Sequence, residues 1–176
     1  MKILLTGKNG QVGHALAPRL SALGTLCAVG TAECDFQDET ALRTLVRRER
    51  PDVIVNPAAY TAVDRAESEP AMAHAINAHA PEILAQEAHT LGALLIHFST
   101  DYVFDGTKTT AYTEDDVPNP QSVYGASKWA GEKAVQAHCA RHLILRTAWV
   151  FSAHGQNFAK TMLRLGAERD HLSVVA

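Results

Sequence analysis

The sequence predicts an α/β fold, a doubly wound parallel sheet with helices on both faces, and three observations carry that prediction. Short apolar runs alternate with segments of helical period along the chain. Three glycines follow the first run directly and open the first helical segment. The segments richest in reactive side chains stand where the apolar runs end: TGKNGQVG, NPAAYTAVD, STDYVFDG and RTAWVF. Strands separated by helices imply right-handed crossovers and a parallel sheet, which carries its ligands beyond the carboxyl ends of the strands.

In chain order, residues 2–5 read as a strand because they are short and apolar, as a strand buried on both faces should be. Residues 12–23 repeat at helical period and are closed by Gly24. Residues 25–29 form the second strand, and 38–50 a helix stopped before Pro51. Residues 53–56 are the third strand. A long helix over 70–91 starts on Pro70 and ends at Gly92. The fourth strand is expected over 94–99, a helix over 124–139 and the fifth strand over 142–146. The long segment between the fourth strand and that helix, 105–122, holds Gly106, Pro118 and Pro120 and reads as a functional loop. A last helical segment, 157–168, leads into LSVVA, which has the pattern of a rising strand, so the chain is expected to be part of something longer.

A chain of 176 residues, 47% hydrophobic and 20% charged, suits one soluble globular domain. A net charge of -3 gives no electrostatic reason to expect nucleic acid or an anionic membrane as partner. No run approaches the roughly 18 apolar residues of a membrane span. The three cysteines are scattered and form no metal-like spacing, so a reducing, cytoplasmic setting is expected. His74 and His79 form no HExxH motif, and no metal is expected.

Gly7, Gly10 and Gly13 have the spacing GxxGxxG between a strand and a helix. A tight turn there needs permissive backbone angles, and side chains would keep a pyrophosphate from the helix amides. Lys8 does not complete a GxxxxGK[ST] phosphate loop. A dinucleotide site usually carries an acid at the tip of the second strand, for the adenosine ribose. Here the tip is Gly30, Thr31 and Ala32, with Glu33 and Asp35 close by as adenosine-facing residues or solvated turn residues. NADH and NADPH both stay open.

In VYGASK, Tyr124 and Lys128 stand four apart, on one face of a helix. Chance would supply such a pair in about one chain of this composition in seven. An ammonium about 5 Å from the phenol would favour phenolate by about 3 kcal/mol, moving a poor acid toward a useful one. Other features weigh less. Asp64, Glu67 and Glu69 read first as a solvated cluster before Pro70, Trp149 as core or a ligand wall, and Asn77 as ordering a backbone or facing water.

Taken in order, TGKNGQVG, NPAAYTAVDRAESEP, FSTDYVFDG, VYGASKWAGEK and LRTAWVF resemble the extended short-chain dehydrogenase/reductases, and within them the reductases of nucleotide-linked 4-keto-6-deoxysugars. The likeness covers essentially the whole chain, and TAVDRAESEP and STDYVFDG are its most specific parts. It implies a Rossmann-like, dinucleotide-binding domain over residues 1–176, followed in the family by a smaller substrate domain. It implies NADPH or NADH as cofactor, a nucleotide sugar as substrate and reduction of its C4 ketone.

By motif, the resemblance implies Tyr124 as proton donor, Lys128 on the nicotinamide ribose and Thr100 on the substrate carbonyl. Asp101 and Trp149 are implied as further substrate contacts. Gly10, Gln11, Val12, Asp35, Phe36, Ala59, Tyr60 and Thr61 are implied as cofactor contacts, beside Gly7 and Gly13. A homodimer is open. Its metal-bridged form is not expected, because Ala15 stands where some relatives carry a glutamate. A non-catalytic regulatory subunit or a related epimerase are the alternatives, and the joint presence of Thr100, Tyr124 and Lys128 speaks against the former.

Overall fold

The computed structural model describes residues 1–173. Five strands, β1 (Lys2–Leu5), β2 (Thr25–Ala28), β3 (Val53–Asn56), β4 (Leu94–Thr100) and β5 (His142–Thr147), form one sheet in the order β2-β1-β3-β4-β5. Every pairing is parallel. The chain runs from β1 outward to β2 and then crosses to the other side at β3. The strand order therefore reverses between β1 and β3, where a doubly wound sheet opens a crevice.

The helices are α1 (Gln11–Ser21), α2 (Glu39–Glu49), α3 (Val63–Ser68), α4 (Pro70–His74), α5 (Ala80–Leu91), α6 (Val123–His138) and α7 (Phe158–Glu168). Two apolar cores result. On one face Leu42, Leu45 and Val46 of α2, Ile83 and Leu84 of α5 and Val135 of α6 close over Leu4, Ile54 and Leu95. On the other, Leu16, Ala17 and Leu20 of α1 pack with Ile3 and Leu5 of β1, Val55 of β3 and Ile96 of β4. Alternate strand residues point to opposite faces, so both cores are built from consecutive residues of the same three strands.

The expected elements are present with ends moved by a residue or two, and two differences are substantive. The helix expected over 70–91 is interrupted: a π-helical turn, Ala75–His79, lies between α4 and α5. The short α3 was not expected; its six residues follow directly from the loop after β3. The strand pattern in LSVVA lies, from residue 174 on, outside the described residues. Beyond the centre, burial falls away. Leu143 and Leu145 of β5 are exposed, as are Phe151 and Leu163, and α7 buries none of its residues.

Candidate active site

A cleft of about 780 Å³ opens at the carboxyl ends of the strands. Its floor is the turn from β1 into α1. Gly7 has φ +59°, and a Cβ there would lie 2.9 Å from the Ala58 backbone. A Cβ on Gly13 would stand 2.1 Å from the Gly7 carbonyl oxygen, so the third glycine lets α1 start directly against the loop. Gly10, the cap residue of α1, offers no side-chain cap, which leaves the first amides of the helix directed at the cleft. A cradle that a Cβ would fill, ending in free helix amides, fits a dinucleotide pyrophosphate.

The opposite wall is the exit of β4 together with α6. The hydroxyl of Ser122 accepts from the Gly125 amide at 3.0 Å and Glu67 accepts from the Val123 amide at 2.8 Å, so the start of α6 is capped from two directions. The glycines of VYGASKWAGEK then allow close approach. A Cβ on Gly125 would stand 2.2 Å from the Tyr102 carbonyl oxygen, and one on Gly131 would stand 2.1 Å from that of Asn77. Helix α6 therefore lies backbone to backbone against the β4 exit on one side and the π-helical turn on the other.

Tyr124, Lys128 and Thr100 share this wall. Lys128 is 2% exposed and its Nζ donates to the Phe98 carbonyl at 2.6 Å. Burial pulls its ammonium from 10.5 down to about 8, against a restoring pull from the Glu132 carboxylate. Burial likewise raises the Tyr124 phenol; the Thr100 hydroxyl beside it draws the other way, and the charges of Asp101 and Tyr102 add to the rise. This corrects the expectation that Lys128 would lower the phenol. The side chains share a helix face, but the ammonium is committed to a β4 carbonyl and is not among the groups that move the phenol, which burial raises.

Gln11, Val12, Asp35, Phe36, Ala59 and Thr61 also line the cleft, as do Asp101 and Trp149. Trp149 stands at the rim, 73% exposed, with φ +51° and its ring edge-on to Phe158 at 5.0 Å. Asp35 turns its carboxylate to the Gln37 amide at 2.9 Å, and Phe36 belongs to the core while touching the cleft. Tyr60 is not brought in. Its hydroxyl donates to Glu69 at 2.6 Å, and its backbone lies between the lining residues Ala59 and Thr61 without lining the cleft itself.

What holds that backbone is Asn77, fully buried in the π-helical turn. Its Oδ1 accepts from the Tyr60 amide at 2.8 Å, and its Nδ2 donates to the Tyr60 carbonyl and to the Ser127 hydroxyl, each at 3.0 Å. Ser127 in turn donates to the Tyr124 carbonyl at 2.7 Å. One side chain thus ties the loop after β3 to the helix of the Tyr-Lys pair. A second network, which sequence reasoning missed, runs below the floor: Thr6 donates to Asn56 at 2.6 Å, and Asn56 meets Nδ1 of His97 at 3.1 Å. Burial, then the charge of Lys128, holds His97 well below the usual histidine range, so it is neutral. A histidine inside an apolar strand was the available signal.

Fold and cleft together define a dinucleotide-binding α/β domain whose ligand wall carries a Tyr-Lys pair. The chain belongs to the family described as RmlD substrate binding domain, which it matches over residues 1–176. It is 52% identical, over 99% of its length, to the dTDP-4-dehydrorhamnose reductase of Shigella flexneri, and covers 60% of that protein. To the reductase of the same name from Burkholderia thailandensis it is 49% identical over 100% of its length, covering 59%. The chain therefore spans about 60% of the length of these relatives.

Among solved structures, the Clostridium acetobutylicum dTDP-4-dehydrorhamnose reductase superposes with TM-score 0.96 at 41% identity, over 99% of this chain and 62% of that one. The Bacillus anthracis reductase, solved in complex with NADP, superposes with TM-score 0.94 at 39% identity, over 99% and 63%. Among the described residues no helix is long and apolar enough to cross a membrane.

Proposed function

We propose that this chain forms the cofactor-binding and catalytic part of an NAD(P)H-dependent reductase that converts dTDP-4-dehydrorhamnose to dTDP-L-rhamnose. The observation that carries the reading is the placing of Thr100, Tyr124 and Lys128 on one wall of the cleft, facing the glycine turn. The names of the relatives support the substrate. The nucleotide end of that substrate is assigned to the length that the relatives have beyond this chain's span.

When bound, the reduced nicotinamide supplies the hydride. Tyr124 gives its phenolic proton to the carbonyl oxygen as that oxygen becomes an alkoxide, a far stronger base than phenolate. The phenol, raised by burial, is fully protonated at neutral pH and a weak acid, so it releases its proton only to a base as strong as the developing alkoxide. The Thr100 hydroxyl, beside the phenol, hydrogen-bonds the same oxygen and shares its charge. Lys128 spends one of its three donors on Phe98 and has two for the ribose hydroxyls. Asp101 and Trp149 bound the space where the sugar stands.

A homodimer is the assembly proposed with this family, to be read from sedimentation. A cytoplasmic setting is supported by the three free thiols of Cys27, Cys34 and Cys139. The direct test supplies dTDP-4-dehydrorhamnose to the full-length protein and follows oxidation of NADPH and of NADH. Substrate-dependent oxidation is expected, and its absence with both nucleotides would overturn the reading.

A further inference from the structure

The second strand ends at Ala28, and the chain leaves it through Val29 and Gly30 without the acid that usually meets an adenosine ribose. The surroundings of Gly30 explain why. A Cβ at this position would lie 2.7 Å from Nδ2 of Asn9, so no longer side chain fits unless Asn9 moves. An acid for the ribose must therefore come from elsewhere in the chain.

A turn brings one. The Glu33 amide donates to the Gly30 carbonyl at 3.1 Å, folding residues 30–33 back on themselves. Oε2 of Glu33 then accepts from the Gly30 amide at 2.8 Å, and Oε1 accepts from Nζ of Lys8, also at 2.8 Å. Gly30 and Thr31 line the cleft and Glu33 stands just outside its lining, with Oε2 3.6 Å from where a Cβ on Gly30 would be, close to the place an acid at Gly30 would reach. Asp35, the other acid nearby, lines the cleft five residues past Gly30 and gives one carboxylate oxygen to the Gln37 amide.

We propose that Glu33 supplies the acid missing from the strand tip, accepting from the adenosine 2′-hydroxyl and disfavouring a 2′-phosphate. The assignment rests on the reading of the cleft as a nicotinamide dinucleotide site. Lys8 holds the Glu33 carboxyl below the usual carboxylate range, with help from the Gly30 amide, so the group is ionised at neutral pH. Each oxygen has one partner and keeps a further accepting position for a hydroxyl. A 2′-phosphate would meet this negative charge directly, and the nearest cation, Lys8, is already engaged by it. Glu33 thus sets the cofactor preference from a position five residues past the strand, with Lys8 moderating its charge.

The test measures dissociation constants of NADH and NADPH by nucleotide fluorescence, at one ionic strength, on full-length wild type, Glu33→Gln and Lys8→Met. Glu33→Gln removes the repulsion and frees Lys8. The affinity for NADPH relative to NADH should rise about tenfold. Lys8→Met leaves the carboxylate uncompensated, and the same ratio should fall. A ratio within about twofold of wild type in Glu33→Gln, or one shifted toward NADH, overturns the role of Glu33 alone. Binding of neither nucleotide by the wild type overturns the dinucleotide reading with it.

Discussion

Tyr124 and Lys128 are both buried groups, and burial moves each away from its charged form. For the phenol the consequence is a proton kept in place, so Tyr124→Phe removes a donor and little else. It should lower kcat by about 10²- to 10⁴-fold while thermal unfolding stays near that of the wild type; near-normal turnover would remove Tyr124 from the proposed chemistry. For the lysine the consequence is a pH-dependent stability. Its folded value of about 8 lies below the ordinary 10.5, so between these limits the unfolded chain binds a proton that the folded one does not. Stability therefore rises with pH across that window. Relative to Lys128→Met, the wild type should gain on the order of 1–3 kcal/mol in chemical denaturation between pH 8 and 10.5. A difference that stays flat with pH would show that the ammonium is not desolvated.

At the scale of elements, the π-helical turn is the joint on which the site depends. Its extra residue places Asn77 between the loop after β3 and α6, and Gly131 permits the contact. Asn77→Ala strands the Tyr60 amide and carbonyl and takes from the Ser127 hydroxyl the donor it accepts from. It should cost about 2–4 kcal/mol in denaturant unfolding and raise the KM for the cofactor, because the Ala59–Thr61 wall loses its tether. Loss of stability without a change in KM would confine Asn77 to the core. The segment was visible in the sequence as a helical period, and Asn77 stood out within it. The partner 17 residues away was not, because nothing in a local repeat shows which loop a buried amide will meet.

For the molecule as a whole, ligand binding and folding should be linked through the cleft. A nicotinamide dinucleotide at 100 times its dissociation constant adds about 2.7 kcal/mol to unfolding, which for a chain of this size is a rise of roughly 5–10 °C in Tm. Gly13→Ala should abolish that rise, since its Cβ would be driven into the Gly7 carbonyl oxygen. A full rise in the variant would mean that the glycine turn is not where the dinucleotide sits.

By itself, the sequence determined the alternation of strands and helices, the glycine turn and the helical spacing of the Tyr-Lys pair, because these are periodic and local properties of the backbone. Only the tertiary structure decided that Lys128 turns to Phe98, that the phenol is raised, that Tyr60 faces Glu69 and that Glu33 returns to the tip of β2. Those outcomes depend on desolvation and on hydrogen-bond partners brought in by the fold. Neither is a property of spacing along the chain.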